Sequence, residues 1–348
     1  MRKRSLIPAL FLALTPFING CKDKAGENSS DASKEASKAD VELKRIEQDK
    51  LVIEKLNHDY PRVPVEGKIL EKGENPCFNE LKQRYHDHMA KLKQEVEATG
   101  AKFAVVLLSL DGGGTSPASI AAEKYTIPYI KSTCSQLGVD FYDFSTTIRS
   151  HGIKEMTQLP KDGHLSKIGA SVIADEFAAI IKKYPAIASK VTYKDNERPE
   201  SFGDLPPNDD EVLDGGKDMP YHVKANTQGV RMDHDLTFPK KKKRILLMGD
   251  SGLFCPFLDN EFTVSYVLQQ KLPDYEVYSV AAVNWTFEDY LSLWNDKTKF
   301  TEPDMVIVST NASDIEDYFF TNRNHCSRSG KPFAPTPVEE KYYKETYK

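Results

Sequence analysis

The sequence predicts an α/β fold with a doubly wound, mainly parallel sheet. The main observation is that short continuous apolar runs alternate with segments whose apolar residues recur every three or four positions. A continuous apolar run is typical of a strand buried on both faces of a parallel sheet, and the second pattern is typical of a helix packed on such a sheet. In addition, 39% of the residues are hydrophobic, which is enough to build the core of one large domain.

The predicted strands and helices alternate along most of the chain. The predicted strands are 103–110, 139–144, 245–248, 276–281 and 304–309. The predicted helices run from Phe78 to the terminating Gly100, over 118–136 with an interruption before Pro128, from the capping Ser166 through Lys183, and over 258–272 and 286–295. This alternation is what places helices on both faces of a parallel sheet.

The composition and charge exclude several classes of protein. The chain has 348 residues, with 47 Lys and Arg against 52 Asp and Glu, so its formal net charge is −5. This composition is not that of a collagen, a coiled coil or a multi-span membrane protein. A nucleic-acid-binding protein is usually basic, so no nucleic-acid partner is expected.

The first residues have the pattern of an export signal. Three basic residues precede an apolar run over 6–18 that is too short to span a bilayer permanently. We interpret 1–20 as a signal peptide. The sequence Ile18-Asn-Gly-Cys21 resembles a bacterial lipobox, which would make Cys21 the lipidated N-terminus; the alternative is ordinary secretion with a buried Cys21. We therefore expect an exported protein that contacts a bacterial membrane only through its lipid and faces the periplasm.

After the signal, the domain organisation follows from composition. Residues 21–60 are mainly charged and small, and we predict a flexible tether with only a short helix near its end. Residues 61–348 are predicted to form a single domain. It has a back half over about 75–185, a polar insertion over about 186–240 and a front half over about 244–348.

Two motifs contain the elements of a nucleophilic site. Ser251 follows Gly249-Asp250 at the end of a predicted strand, and a serine in such a strand-to-helix turn presents its hydroxyl above the sheet. Asp162 and His164 lie just before a predicted helix, where an Asp can orient an imidazole that acts as a base. Taken alone, the first motif is also compatible with a helix N-cap, and the second with a capping turn beside an exposed His.

A third motif follows the last predicted strand. Asn311, Ser313 and Asp314 lie in a loop of small polar residues that could donate hydrogen bonds to an oxyanion. The alternative is an ordinary loop between a strand and a helix.

Together these motifs resemble the SGNH (GDSL-type) hydrolases. That family begins with a strand and Gly-Asp-Ser, continues with a mid-chain strand ending in Gly-x-Asn-Asp, and closes with an Asp/His loop. Here the Asp/His loop comes first and Ser251 comes later, as in a circularly permuted domain. The permuted order and the export signal resemble the alginate O-acetyltransferase (AlgX/AlgJ) family, over roughly residues 75–348.

The resemblance implies a role for each motif. Ser251 would be the nucleophile, His164 the base and Asp162 the residue that orients it. The family's oxyanion positions align with Asn284 and Ser313 instead of Gly and Asn, with Asn311 nearby as another possible donor. Asp314 completes the set of candidate oxyanion or substrate residues.

The function that this resemblance implies is acyl transfer or ester hydrolysis. The substrate would be an acetylated cell-surface or exported polysaccharide, with no metal and no organic cofactor, and a membrane protein could supply the acyl group. The alternative is a non-catalytic lipoprotein of the same fold that binds glycan or a protein partner, which the changes at 284 and 313 motivate.

The cysteines other than Cys21 can pair in an oxidising compartment. In the permuted order, Cys77 and Cys326 flank the point where the chain would close on itself, and we predict a disulfide between them. The alternatives are four free thiols or a bridge between Cys134 and Cys255.

Overall fold

A five-stranded sheet forms the centre of the structure. The structure is a computed structural model, which describes residues 29–63, 69, 73–110, 117–214, 217–323 and 325–348. The strands in chain order are β1 (Lys102–Leu107), β2 (Asp140–Asp143), β3 (Asp210–Asp214), β4 (Pro220–Lys224), β5 (Lys243–Gly249), β6 (Tyr275–Ala281) and β7 (Met305–Thr310). The sheet has the order β2-β1-β7-β5-β6, and all its neighbouring pairs are parallel. Strands β3 and β4 form a separate antiparallel hairpin.

Helices cover both faces of this sheet, which confirms the predicted doubly wound α/β architecture. The helices are α1 (Ser29–Asp59), α2 (Pro76–Ala98), α3 (Pro117–Ala121), α4 (Ile127–Gln136), α5 (Ser145–His151), α6 (Ile153–Met156), α7 (Lys167–Ile181), α8 (Ser251–Phe254), α9 (Val264–Lys271), α10 (Phe287–Asp296) and α11 (Pro337–Tyr347). On one face, α2, α4, α10 and α11 contribute to a single apolar core. On the other face, α5, α7 and α9 contribute to a second core.

Two predicted helices are divided in the structure. The helix predicted over 118–136 consists of α3, a π-helical turn over Ala122–Thr126 and α4. Pro128, which has no N–H to donate, lies in the first turn of α4, where a proline is tolerated. The helix predicted over 258–272 has a 3₁₀ turn over Asn260–Phe262 before α9 begins.

The segment predicted as a flexible tether is helical over most of its length. The structure has α1 where the prediction allowed only a short helix. Ala, Glu and Lys, which are abundant here, have high helix propensities, and Arg45 forms ion pairs with Glu42 and Asp49, at the spacings that stabilise helices. Just after α1, the Tyr60 ring lies 5.4 Å from the ring of Phe320, so this end contacts the domain core.

The export signal cannot be compared with the structure. The predicted signal peptide 1–20 and Cys21 lie outside the described residues, so export and lipidation stay predictions. None of the helices in the described ranges combines the length and the apolar character needed to cross a bilayer.

The predicted polar insertion packs against the sheet domain. Phe202, Val230 and Leu236 are buried in the same core as α2 and α10. At the far end of the insertion, the Lys240 ammonium lies 2.7 Å from the Asp304 carboxylate, just before β7. The insertion therefore contributes to the core and also carries the β3–β4 hairpin.

The predicted disulfide is wrong in this structure, in which Cys77, Cys134, Cys255 and Cys326 are all buried free thiols. Cys77 packs among apolar side chains of the core at the start of α2. Burial raises the pKa of Cys326 to about 11, so its thiolate is disfavoured. Both cysteines behave as small apolar residues in packed surroundings, although the sequence around each is polar.

One buried ion pair joins β5 to β6, and we expect its loss to be costly. Arg244 on β5 is fully buried; its guanidinium pairs with Glu276 on β6 and donates to the backbone oxygens of Thr301 and Thr237. Arg244→Met would leave the buried Glu276 carboxylate without its cation, which typically costs about 3–5 kcal/mol. Urea unfolding followed by circular dichroism measures this loss.

A matched control uses an exposed ion pair of the same sheet domain. Lys271 lies 2.7 Å from Asp175, and their side chains are 30% and 65% exposed. Lys271→Met should change the free energy of unfolding by less than about 1 kcal/mol. Equal effects of the two substitutions would show that the burial of the Arg244 pair does not matter for stability.

Candidate active site

The loop between α6 and α7 holds Asp162 and His164 in direct contact. The Asp162 Oδ1 atom lies 2.5 Å from Nδ1 of His164 and also accepts a hydrogen bond from the His164 backbone N–H at 2.8 Å. The Asp162 side chain is 5% exposed and that of His164 is 29% exposed. The carboxylate therefore fixes the ring from a buried position and leaves part of the imidazole accessible.

The surroundings of Asp162 favour its charged form. Burial raises the pKa of this carboxyl, but the hydrogen bond from Lys217 and the contacts with His164 outweigh that effect, so the net pKa lies below its ordinary value. An ionised Asp162 can stabilise an imidazolium that forms on His164 during proton transfer.

Ser251 lies just beyond the carboxyl end of β5 and is the first residue of α8. The preceding turn is tight: a Cβ on Gly249 would lie 2.9 Å from Leu253 Cδ1. Asp250 is the N-cap of α8, and its Oδ1 accepts from the Gly252 backbone N–H at 2.9 Å. The motif therefore caps α8. It also places Ser251 at the carboxyl edge of the sheet, where parallel α/β sheets have their sites.

Two contacts bring the loops of Ser251 and His164 together. The side-chain amide of Gln158 donates to the backbone oxygen of Leu165 at 2.8 Å and to that of Pro256 at 3.0 Å. The His164 ring centroid lies 6.4 Å from that of Phe257. These contacts place the loop of His164 beside the segment that follows Ser251.

The Ser251 hydroxyl does not hydrogen-bond His164 in the described structure. Its Oγ donates instead to Asp250 Oδ2 at 3.3 Å. Burial raises the pKa of Asp250, while the positive charge of His164 acts to lower it. For His164 to accept its proton, the Ser251 hydroxyl must leave Asp250; in structures without substrate such catalytic hydrogen bonds are often long or unformed.

The loop after β7 supports Asp250 with its side chains. The Asn311 amide donates to Asp250 Oδ2, and its carbonyl oxygen accepts from the Ser313 hydroxyl at 2.8 Å. The Ser313 hydroxyl also lies 3.3 Å from Asp317. These polar groups are predicted to contact an oxyanion or the substrate. In this structure they make hydrogen bonds to other groups of the protein.

Asp314 stabilises this loop. Its side chain has no exposed surface, so the predicted contact of Asp314 with substrate is wrong. Its carboxyl accepts from the Thr310 hydroxyl at 2.7 Å and from the Asn311 backbone N–H at 3.2 Å. Burial raises its pKa well above the ordinary value, and the negative charges of Asp250 and Asp317 raise it further.

Asn284 has a left-handed backbone conformation. Its φ is +62°, in the left-handed region that Asn tolerates better than most residues. The side chain is partly buried in the turn after β6. Asn284 therefore adopts a backbone conformation that a glycine would also accept.

Three further residues of the site were not predicted from the sequence. The sequence presents Asp250 only as part of the serine motif, it gives no signal for Gln158, and it places Lys217 in the polar insertion. The Lys217 ammonium contacts Asp162 Oδ2. No sequence pattern could have paired Lys217 with Asp162, because the contact depends on how the hairpin folds over the site.

Among the residues that the structure describes, no group of three or more His, Cys, Asp or Glu side chains is arranged to hold a metal ion.

Comparison with known proteins gives matches among solved structures. No family model and no curated protein sequence matches the chain. The chain is similar to the O-acetyltransferase domain of Pseudomonas putida AlgJ, with 14% identity and a TM-score of 0.43, over 71% of this chain and 87% of that chain. It is similar to Bacillus cereus PatB1 with a sulfonyl adduct, with 11% identity and a TM-score of 0.40, over 68% of this chain and 89% of that chain. It is also similar to a DHHW family protein from Eubacterium siraeum, with 14% identity and a TM-score of 0.37, over 72% of this chain and 89% of that chain.

Proposed function

We propose that the protein is an exported serine acyltransferase or esterase of SGNH type, which transfers acetyl groups to a cell-surface or exported polysaccharide or removes them. The observation that carries this proposal is the contact between the buried Asp162 carboxylate and His164 Nδ1, at 2.5 Å, beside the strand-end turn of Ser251. An oriented imidazole next to a serine at the carboxyl edge of a parallel sheet is the arrangement that activates a hydroxyl nucleophile.

The proposed reaction uses the three residues in turn. The Ser251 hydroxyl leaves Asp250, His164 takes its proton, and the Ser251 oxygen attacks the acyl carbonyl. Asp162 holds the imidazole and stabilises its charged form. His164 then returns the proton to the leaving alcohol, and the acyl group on Ser251 passes to a sugar hydroxyl or to water.

The substrate and location in this proposal rest on the sequence motifs. The resemblance to the alginate O-acetyltransferases favours acetyl as the group and a polysaccharide as the acceptor, with transfer favoured over hydrolysis. The export signal with Cys21 supports a lipid-anchored protein at a bacterial membrane, where a membrane protein could supply the acyl group.

A trapped acyl enzyme tests the proposal. The full-length protein is incubated with an activated acetyl ester, quenched in acid and digested, and the peptide containing Ser251 is examined by mass spectrometry. We expect an acetyl adduct on Ser251, and none at this position in Ser251→Ala. Since His164 deprotonates the serine, His164→Ala should also lose the adduct. Absence of the adduct at every pH between 6 and 9 would contradict an acyl-enzyme mechanism.

The second candidate is a non-catalytic glycan-binding or protein-binding lipoprotein of the same fold. The observation that favours it is that the Ser251 hydroxyl, the Asn311 amide and the Ser313 hydroxyl all make contacts within the protein. The same trapping experiment separates the two candidates, because a binding protein would form no more adduct at Ser251 than at an exposed serine such as Ser132.

A further inference from the structure

The turn of the β3–β4 hairpin supplies a cation to the catalytic loop. The two carboxylate oxygens of Asp162 have different partners: Oδ1 contacts His164, and Oδ2 contacts the ammonium of Lys217. Lys217 belongs to the polar insertion and is far from both motifs in the chain. It is the cation that the described structure pairs with the buried Asp162 carboxylate.

Several contacts hold the hairpin in position over the site. The β4 backbone is bound to the segment after Ser251: the His222 N–H donates to Asp259 at 2.7 Å, and the Asn260 side-chain amide donates to the Lys224 oxygen at 2.7 Å. The Tyr221 ring packs 5.5 Å from that of Phe257, which also neighbours the His164 ring. The hairpin that carries Lys217 is therefore bound to the segment that follows Ser251.

We propose that Lys217 is a positioning residue, which fixes the Asp162 carboxylate for His164 and sets the pH range in which the pair can act as a base. This inference rests on the proposed function for its catalytic meaning. The contact itself, and its effect on the charge state of His164, can be measured without any turnover.

The direction of the effect follows from the charges that act on His164. Asp162 lies on the same loop as His164, and Asp250 acts on His164 from the turn after β5. Lys217 acts on His164 through the Asp162 carboxylate, which both residues contact. The ammonium neutralises part of the negative charge that would stabilise an imidazolium. Without Lys217, the protonated His164 is favoured and the imidazole loses a proton only at higher pH.

The size of the effect is limited by solvent. The Lys217 side chain is 46% exposed, so water screens its charge. We expect Lys217→Met to move the acid limb of the pH profile of kcat/KM upward by roughly half a pH unit. Because the carboxylate also loses a hydrogen-bond donor that orients it, kcat should fall several-fold while KM changes little.

The experiment compares three variants of the full-length protein. Lys217→Met removes the cation, Lys217→Arg restores it, and Lys224→Met removes a lysine of the same hairpin that pairs with the exposed Asp210. For each variant, the pH profile of acetyl-ester turnover is measured, and the His164 ring is titrated by NMR in the absence of substrate. We expect an upward shift of both midpoints in Lys217→Met alone, and wild-type behaviour in Lys217→Arg and Lys224→Met.

The two readouts separate this proposal from the proposed function. A shifted NMR midpoint in a protein without turnover would support the role of Lys217 in the charge state of His164 and contradict the enzyme proposal. An unchanged NMR midpoint in Lys217→Met would overturn the inference about Lys217, whatever the activity. Equal shifts in Lys217→Met and Lys224→Met would also overturn it, since they would reflect only the net charge of the hairpin.

Discussion

Ser251→Ala is expected to lower acetyl-ester turnover by about 10⁴-fold or more while the protein stays folded. The hydroxyl is the only group of this residue that the proposed reaction uses. Among the described residues it makes one hydrogen bond, to Asp250 at 3.3 Å. Its loss therefore removes the nucleophile and only a weak structural contact. Steady-state turnover of an activated acetyl ester, with thermal unfolding of the same preparation, measures both effects.

The other two triad residues should behave as parts of the same unit. His164→Ala should be about as damaging as Ser251→Ala, because His164 is the proposed base. Among the described residues, the group in hydrogen-bonding contact with the Ser251 hydroxyl is the Asp250 carboxyl. Asp162→Asn should cost less, because the ring remains present but loses its orienting charge. A double variant of Ser251 and His164 should be barely slower than the slower single variant.

A serine remote from the site provides the control. Ser132 on α4 is exposed, and its hydroxyl accepts a hydrogen bond from Gln136 on the same helix. Ser132→Ala should keep wild-type turnover and stability. Wild-type turnover in Ser251→Ala would show that the proposed nucleophile is wrong, even if the protein proved to be an esterase.

The sheet and the three motifs could be predicted because they depend on local patterns. A continuous apolar run such as that over 103–110 is compatible with few environments other than a strand between two layers of helices. Polar residues that directly follow such strands must lie at one edge of the sheet. This reasoning places Ser251 and the loop at 311–314 at that edge, but it does not predict the hydrogen-bond partners of their side chains.

Other features could not be predicted because they depend on contacts distant in the chain. The cysteines lie in polar sequence segments, yet the fold buries Cys77 and Cys326 as unpaired thiols. Nothing in the sequence distinguishes Lys217 from the other charged residues of the polar insertion, and the hairpin geometry places it on Asp162. For α1 the difference is local: the helix propensity of Ala, Glu and Lys outweighs the lack of an apolar face.

Residues 61–185 expressed alone are expected to be unfolded, because this half contains only two of the five strands. In the whole protein, β1 lies between β2 and β7 and pairs with β7 from Lys102 to Leu107. Removal of β7 exposes this strand edge, and a two-stranded sheet is marginal in water by itself. The half would also lose the packing of α7 against α9 and of α2 against α10.

The energetic reason is that neither core belongs to one half. Val105 and Leu107 of β1 share a core with Leu246 and Val306, and Ala104 and other β1 residues on the opposite face share the second core with β5 and β7. Each buried aliphatic side chain contributes about 1.5–3 kcal/mol to folding, so exposure of several of them exceeds the stability of a typical domain. We expect little secondary structure by circular dichroism and no cooperative thermal transition.

Coexpression provides the decisive comparison. Residues 61–185 and 186–348, produced together as two chains, should associate through β1 and β7 and recover a cooperative transition. Because His164 lies on one chain and Ser251 on the other, the acetyl adduct on Ser251 should form only in the complex. Cooperative unfolding of residues 61–185 alone would instead indicate two independent domains, and the contact between the loops of His164 and Ser251 would then not be required by the fold.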